Sequence, residues 1–472
     1  MKKTFDRKTE RLPLVATLAL AGWVAAFPAH AGIVKTETHH ENAGPAPYTA
    51  GSDIPENQGD ETMNKFGVSM HANAEPNGLL TLPQALELAL MRNPELAAYS
   101  HGVLAAEGNV RQSGSLPNPE LELEAGEFGG SGERKGYDAA ETTVRLSQSL
   151  ELGGKRGKRR RIAQAEAHLA GWEYEAKRLD VVALVKQAFV DVLLAQEQAA
   201  LRESLLMLSE QSRQAAAERV KAGKVPLLEE TRATVEVAAA RIAHARAKRE
   251  LETARRRLVT LWGETKPQFK KADGDLNEIG NVAPLEKLSA LLNEAPEMAR
   301  WKWEMDLAMA SVALAKSARM PDVEVSLGVS RFEADDAYAG VVGVSLPIPL
   351  FDRNAGGILA AEHQAARAEY EHRAARVRLS MDLTDAHSRL ETAHAEAQAI
   401  ATEVVPGAQK AFDAAQIGYG EGKFGQWELL DSKRTLAEAR IRLLDVLADY
   451  HKAAADVERL TGVSANTVRN SK

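Results

Sequence analysis

Four short segments of this chain recur in the same order at an offset of about 200 residues. Asn93-Pro94-Glu95-Leu96 returns as Ala295-Pro296-Glu297-Met298, and Leu116-Pro117-Asn118-Pro119-Glu120-Leu121 as Arg319-Met320-Pro321-Asp322-Val323-Glu324. Val220-Lys221-Ala222-Gly223-Lys224 returns as Tyr419-Gly420-Glu421-Gly422-Lys423, and Leu261-Trp262-Gly263 as Leu460-Thr461-Gly462. Gly223 and Gly263 are as far apart as Gly422 and Gly462. One match would be chance, but four in order argue for a duplication, residues 79–263 and 284–463, joined by a linker, 264–283. Each half must then adopt the same architecture.

The elements within each half follow from periodicity. A helix opens each half, about 81–113 and 284–317, with Thr81 and Gln84 at capping-box spacing. Proline-containing segments end these helices. Period-2 alternation follows: Leu121, Leu123 and Ala125 alternate with acids, and Val144, Leu146, Leu150 and Leu152 with polar residues. The second half repeats this with Val323, Val325, Leu327 and Val329, then Val342, Val344, Leu346, Ile348 and Leu350. Next come very long helices, about 154–221 and 354–418. At 1.5 Å per residue, such a helix spans roughly 100 Å, a length typical of coiled coils. Gly223 and Gly422 reverse the chain as left-handed caps, and helices about 226–262 and 425–461 run back. The fold class is therefore mainly α with a small β part: long antiparallel helical hairpins plus two β-hairpins.

Strands of roughly 8–12 residues fit a tilted membrane crossing, with Phe128, Tyr137, Phe332 and Tyr338 flanking the loops. An ordinary sheet with one face on a core fits the alternation equally well. Four strands cannot close a barrel, so a membrane reading requires several copies. The polar face, with Glu122, Glu124, Arg145, Glu151, Asp322 and Glu324, would then line a water-filled lumen.

The amino terminus reads as an export signal, residues 1–31: five basic residues, an apolar stretch to Phe27, and Ala29-His30-Ala31 at a cleavage-type site. Residues 32–78 are rich in Gly, Pro, Asn and Thr and read as a flexible leader, and 464–472 as a tail. The chain has no cysteine and a formal charge of −7. That excludes a disulfide scaffold, a thiolate metal site and a cysteine nucleophile. An acidic exported chain has no general nucleic-acid footprint. No phosphate loop, GxSxG elbow or H-E-x-x-H is present, so nothing points to an enzyme or a cofactor. The remaining histidines read as surface residues.

Several motifs together resemble the TolC-type outer-membrane efflux factors over roughly residues 79–463. They are the two-fold repeat, Leu82…Gln84-Ala85-Leu86…Asn93-Pro94-Glu95, and Gly418-Tyr419…Gly422-Lys423 followed by Leu429-Leu430-Asp431…Arg434-Thr435-Leu436. Ser147-Gln148-Ser149-Leu150-Glu151-Leu152-Gly153-Gly154-Lys155-Arg156 and Pro347-Ile348-Pro349-Leu350-Phe351-Asp352-Arg353-Asn354 resemble the subclass of cobalt–zinc–cadmium resistance systems. The resemblance implies a homotrimer in the outer membrane, with a shared 12-stranded barrel on a periplasmic helical tunnel. It implies a periplasmic membrane-fusion adaptor and an inner-membrane pump of the proton-driven RND type as partners, and no cofactor. Some relatives carry a lipidated amino-terminal cysteine; this chain has none.

The resemblance also singles out residues. Glu428 and Asp431, spaced i, i+3, share a helix face, and Glu229 holds the repeat-equivalent position of Glu428. In the family, acids at the positions of Glu428 and Asp431 constrict the periplasmic mouth, where carboxylate rings favour cations. A solvated acidic helix face is the plain alternative. Tyr419 reads as a gate residue or as an interhelix packing tyrosine. The tips at Val220, Gly223, Lys224, Gly422, Lys423 and Phe424 would meet the adaptor. A soluble periplasmic coiled-coil scaffold is the competing reading, and a duct for drugs or secreted polypeptides keeps the fold but changes the cargo. The basic run Lys155, Arg156, Lys158, Arg159, Arg160 and Arg161 follows a strand directly, which suggests the periplasmic membrane surface with its anionic headgroups; a solvated helix start fits as well, and a nearby anionic partner would offset the macrodipole, which disfavours cations there.

Overall fold

The computed structural model describes residues 75–462. The export signal, nearly all of the leader and the tail lie outside the described residues. The element order is β1 (Leu79–Thr81), α1 (Leu82–Arg92), α2 (Pro94–Ser113), β2 (Glu120–Gly126), β3 (Glu141–Leu150), α3 (Lys155–Lys221), α4 (Leu227–Thr260) and β4 (Lys271–Asp273). The second half follows as α5 (Leu285–Leu291), α6 (Pro296–Ser317), β5 (Val323–Phe332), β6 (Ala337–Ser345), α7 (Ala355–Ala399), α8 (Val405–Gly420) and α9 (Gln426–Thr461). None of the described helices is long and apolar enough to cross a membrane.

The fourth strand ends at Ser345, short of the Leu346, Ile348 and Leu350 that the alternation assigned to it, and three further local features differ from the periodicity reading. Each opening helix is two helices. Asn93 and Ala295 hold extended backbone before Pro94 and Pro296, which each start a new helix at its first position. Asn93 also caps α2 by accepting from the Leu96 N–H at 2.9 Å. The second long helix is interrupted by a π turn, Ile400–Val404. Pro406 follows it after one intervening residue; its missing N–H breaks the α ladder there. The third feature is a parallel pairing of β1 with β4, which packs the linker onto the body rather than leaving it as a spacer. Phe269 and Ala272 of that linker are fully buried, and the Tyr450 hydroxyl binds the Gly280 backbone. Glu75, at the end of the leader, accepts from the Gln268 and Phe269 N–H groups at 2.6 and 3.0 Å. The capping box forms as expected, Thr81 and Gln84 bonding reciprocally.

The main core joins α1, α3, α4, α7 and α9 through Val185, Phe189, Leu258, Leu383 and Val457, with Trp262 and Phe269 alongside. His387 is buried in it, its Nε2 2.8 Å from the Ala283 carbonyl, so it is not a surface histidine.

The four long strands form one antiparallel sheet in the order β2-β3-β5-β6. Its register sorts the side chains into two faces. Leu121, Leu146, Leu327 and Val342 line up across all four strands, and so do Leu123, Val144, Val329 and Gly340. This apolar face is open: Leu123 is 70% and Val342 73% exposed. The opposite face carries Glu122 beside Arg145, Glu124 beside Thr143, and Ser147 beside Ser326. Arg145 reaches Glu122 at 3.0 Å, and the buried Thr143 and Ser330 hydroxyls bond at 2.6 Å. An apolar face turned outward and a polar face turned inward is the reverse of a sheet laid on a core.

Candidate functional site

Both hairpin tips close with the same backbone device. At the first, the Lys224 N–H reaches the Arg219 carbonyl at 2.9 Å and the Gly223 N–H the Val220 carbonyl at 2.9 Å; Gly223 has φ +68°. At the second, the Lys423 N–H reaches the Gly418 carbonyl at 2.8 Å and the Gly422 N–H the Tyr419 carbonyl at 3.1 Å; Gly422 has φ +76°. These are Schellman caps, in which the left-handed residue lets the last carbonyls find donors. Gly418 is glycine for a steric reason: the Phe424 ring lies 2.3 Å from where its Cβ would stand.

The two tips are tied together. The Arg219 guanidinium lies 4.5 Å from the Tyr419 ring centroid, and its Nη1 donates to the Tyr419 carbonyl at 3.3 Å. Tyr419 therefore holds one hairpin of the chain against the other. Val220, Lys224, Lys423 and Phe424 sit on the outer turns of the tips.

The acids stand just inside these tips. Glu229 and Glu428 are both the third residue of their helices, counted after the caps Pro226 and Gly425. A carboxylate there is favoured by the helix macrodipole, and a third-position acid ordinarily reaches back to the cap N–H. The Glu428 side chain does lie close over Gly425, with Oε2 2.9 Å from the place of its Cβ. At Glu229 the cap is a proline without N–H, and one of its carboxylate oxygens is buried without a partner. Asp431 is exposed one turn after Glu428. Glu428 and Asp431 share a face, whereas Glu229 belongs to the other hairpin.

Sequence reasoning passed over a further residue. Lys433 is 6% exposed; its ammonium donates to Ser209 Oγ at 2.6 Å and stands 3.6 Å from Glu236. It crosses from α9 to α3 and α4 and borders a cavity of about 540 Å³ lined also by Asp431 and Arg434. Burial pulls its pKa below the ordinary lysine value, and Glu236 partly opposes that. Removing the ammonium strands no charge, because Glu236 is part-exposed and Ser209 already donates to the Leu205 carbonyl. Lys433→Met is therefore expected to leave the melting temperature unchanged or raise it. Lys433→Ala leaves a void and costs about 2 kcal/mol. The folded pKa lies below the unfolded one, so the lysine's cost is full below the folded pKa and fades as pH rises through it toward the ordinary lysine value. The advantage of the methionine variant should shrink in that alkaline window. A large loss of stability in Lys433→Met would show the ammonium to be a net tie.

Three residues of the basic run pair with acids of the same chain, Arg161 with Asp306 at 3.8 Å. Lys155 pairs with Asp322 at 2.8 Å, and Arg159 grips Glu151 with both guanidinium nitrogens. Burial of Asp322 works against ionisation, yet Lys155 and the Leu152 N–H hold its pKa below the ordinary range. The Lys155 and Arg159 pairs join the strand ends to the start of α3.

The outer membrane efflux protein family model matches residues 85–264 and 288–463. The chain belongs to that family. It is 37% identical to the cobalt-zinc-cadmium resistance protein CzcC of Cupriavidus metallidurans, over 82% of this chain and 91% of that protein. It is 30% identical to the nickel and cobalt resistance protein CnrC of the same organism, over 66% of this chain and 73% of that one. Among solved structures, the outer-membrane channel CusC superposes with a TM-score of 0.67 at 19% identity, covering 80% of this chain and 91% of its own. A membrane protein from Pseudomonas aeruginosa gives 0.72 at 20% identity, with 80% and 90% covered. As a member of an outer-membrane efflux family, this chain has its strand sheet in the outer membrane and its helical hairpins in the periplasm.

Proposed function

We propose that this chain is the channel subunit of a tripartite, proton-driven efflux system of the RND type, and that it forms a homotrimeric passive exit duct for divalent heavy-metal cations. The sheet carries this reading. Its apolar face needs lipid, while the strands β2 and β6 at its edges need neighbours, since an open edge is not tolerated in hydrocarbon. Three copies supply twelve strands and close it. The polar faces, with Glu122 and Glu124, then line the lumen. A soluble scaffold would have no use for such a sheet.

In this reading residues 1–31 direct export, and 79–263 and 284–463 act as quasi-equivalent halves of a subunit that makes and breaks no bonds. Glu428 and Asp431 ring the periplasmic mouth with Glu229 behind them, and the Arg219–Tyr419 tie holds the mouth closed. The tips around Gly223 and Gly422 meet a membrane-fusion adaptor, which couples the duct to the pump. Divalent metal as cargo is supported by the names of the relatives, which are cobalt, zinc, cadmium and nickel resistance proteins.

The deciding experiment is a deletion strain tested on a panel of divalent metals and organic toxicants, with the wild-type gene restored as control. Selective metal sensitivity is expected. Sensitivity to organic compounds alone would reassign the cargo.

A further inference from the structure

Beyond the sheet, residues 346–353 link β6 to α7, and their apolar side chains have no cover. Leu346 is 50%, Ile348 74%, Leu350 65% and Phe351 100% exposed. An exposed leucine needs no explanation, but four large apolar side chains in one short connection do. In sequence the first three keep the two-residue spacing of Val342 and Val344, which lie on the outward face of the sheet.

The segment is held in one shape. Leu350 N–H reaches the Ile348 carbonyl at 2.9 Å, Asn354 N–H reaches Asp352 Oδ1 at 2.8 Å, and Asn354 Nδ2 ties to the Ala315 carbonyl of α6 at 2.9 Å. Pro347 and Pro349 fix two φ angles. They also lack N–H groups where the chain leaves the hydrogen-bonded sheet. Backbone donors without partners are what a lipid environment penalises most, so a connection with alternate donors removed suits the edge of a bilayer. Arg353 is exposed two residues after Phe351, beyond the exposed Asp352 whose Oδ1 is taken up by the Asn354 N–H, and its Nε folds back to the Pro349 carbonyl at 3.3 Å. A guanidinium there lies level with the apolar group and can take a phosphate.

We propose that residues 346–353 form a membrane-interface wedge, in which Leu346, Ile348, Leu350 and Phe351 enter the leaflet facing the periplasm while Arg353 takes a phospholipid headgroup phosphate. The wedge rests on the barrel reading above and fixes how deep the barrel sits. The occupant is lipid because the apolar group continues a face that already meets lipid. Three wedges, one per copy, surround the barrel where strands give way to helices.

The chain has no native cysteine, so single-cysteine variants can be labelled without background. Phe351→Cys and Ile348→Cys, spin-labelled in the full-length assembly, are reconstituted in vesicles of phosphatidylethanolamine and phosphatidylglycerol. Accessibility to oxygen and to a water-soluble nickel chelate is then measured. Leu327→Cys on the sheet face and Glu421→Cys at a tip are the lipid and water references. The wedge predicts an oxygen-to-nickel ratio for positions 351 and 348 several-fold above that of position 421, approaching that of 327. A ratio equal to that of 421 would overturn it by placing the segment in water. Low accessibility to both reagents would overturn it by placing the segment against a neighbouring copy. If position 327 itself reads as aqueous, the barrel reading fails first.

Discussion

Leu327→Arg is expected to abolish the assembled channel: no SDS-resistant oligomer on unheated gels, and no chain in the outer-membrane fraction. Leu327 lies in the middle of β5, between Leu146 of β3 and Val342 of β6, and is 65% exposed on the apolar face. An arginine facing lipid near the bilayer midplane costs about 2–4 kcal/mol. Three-fold symmetry repeats that cost in every copy, so the assembly loses about 6–12 kcal/mol, comparable to the whole stability of an ordinary domain. The arginine control belongs on the other face. Ser345 is exposed there, opposite Glu324, and Ser345→Arg is expected to assemble normally. A Leu327→Arg oligomer at wild-type level would mean that this face meets water or protein.

The strands were legible in the sequence because their pattern has period 2 and each is long. Which face meets lipid was not, since alternation alone cannot tell an outward apolar face from one laid on a core. The register removed that ambiguity by aligning Leu121, Leu146, Leu327 and Val342 while leaving them uncovered. The left-handed caps at Gly223 and Gly422 could be read directly, because glycine after a helical run has few other meanings. The helix breaks at Asn93 and Ala295 left a signal in the following proline. The π turn before Pro406 left one too, in a proline inside an otherwise helical run.

What stayed hidden was non-local. β1 and β4 are too short to show a period, and they pair across α1 to α4. His387 is buried because Ala283, far away in the chain, offers a carbonyl. Lys433 is on a helix that reads as charged throughout, and only the approach of Ser209 and Glu236 buries it. The acids near the tips were half legible: their spacing and the position that Glu229 and Glu428 share after the turns are visible, but not that Glu229 is half-buried with one oxygen unpartnered while Glu428 is exposed.

That shared position shapes the second large expected effect. Glu428→Gln with Asp431→Asn should raise the divalent concentration needed for half-block of the channel by more than tenfold in planar-bilayer recordings. The helix macrodipole favours a carboxylate at the third position, and three copies set six acids around one axis. In a water-filled mouth, a divalent cation about 8 Å from one carboxylate gains roughly 1 kcal/mol before salt screening. Six of them, even cut to a third by screening, exceed the 1.4 kcal/mol of a tenfold change. Glutamine and asparagine keep the size and shape of the acids they replace, so the variant changes charge with little change in structure. Glu229→Gln alone should change block far less, because that carboxylate is half-buried behind the proline cap on the other hairpin. Equal effects from Glu229→Gln and the double variant would move the ring to the first hairpin. Unchanged block in the double variant would remove the ring altogether, leaving Glu428 and Asp431 as a solvated acidic helix face.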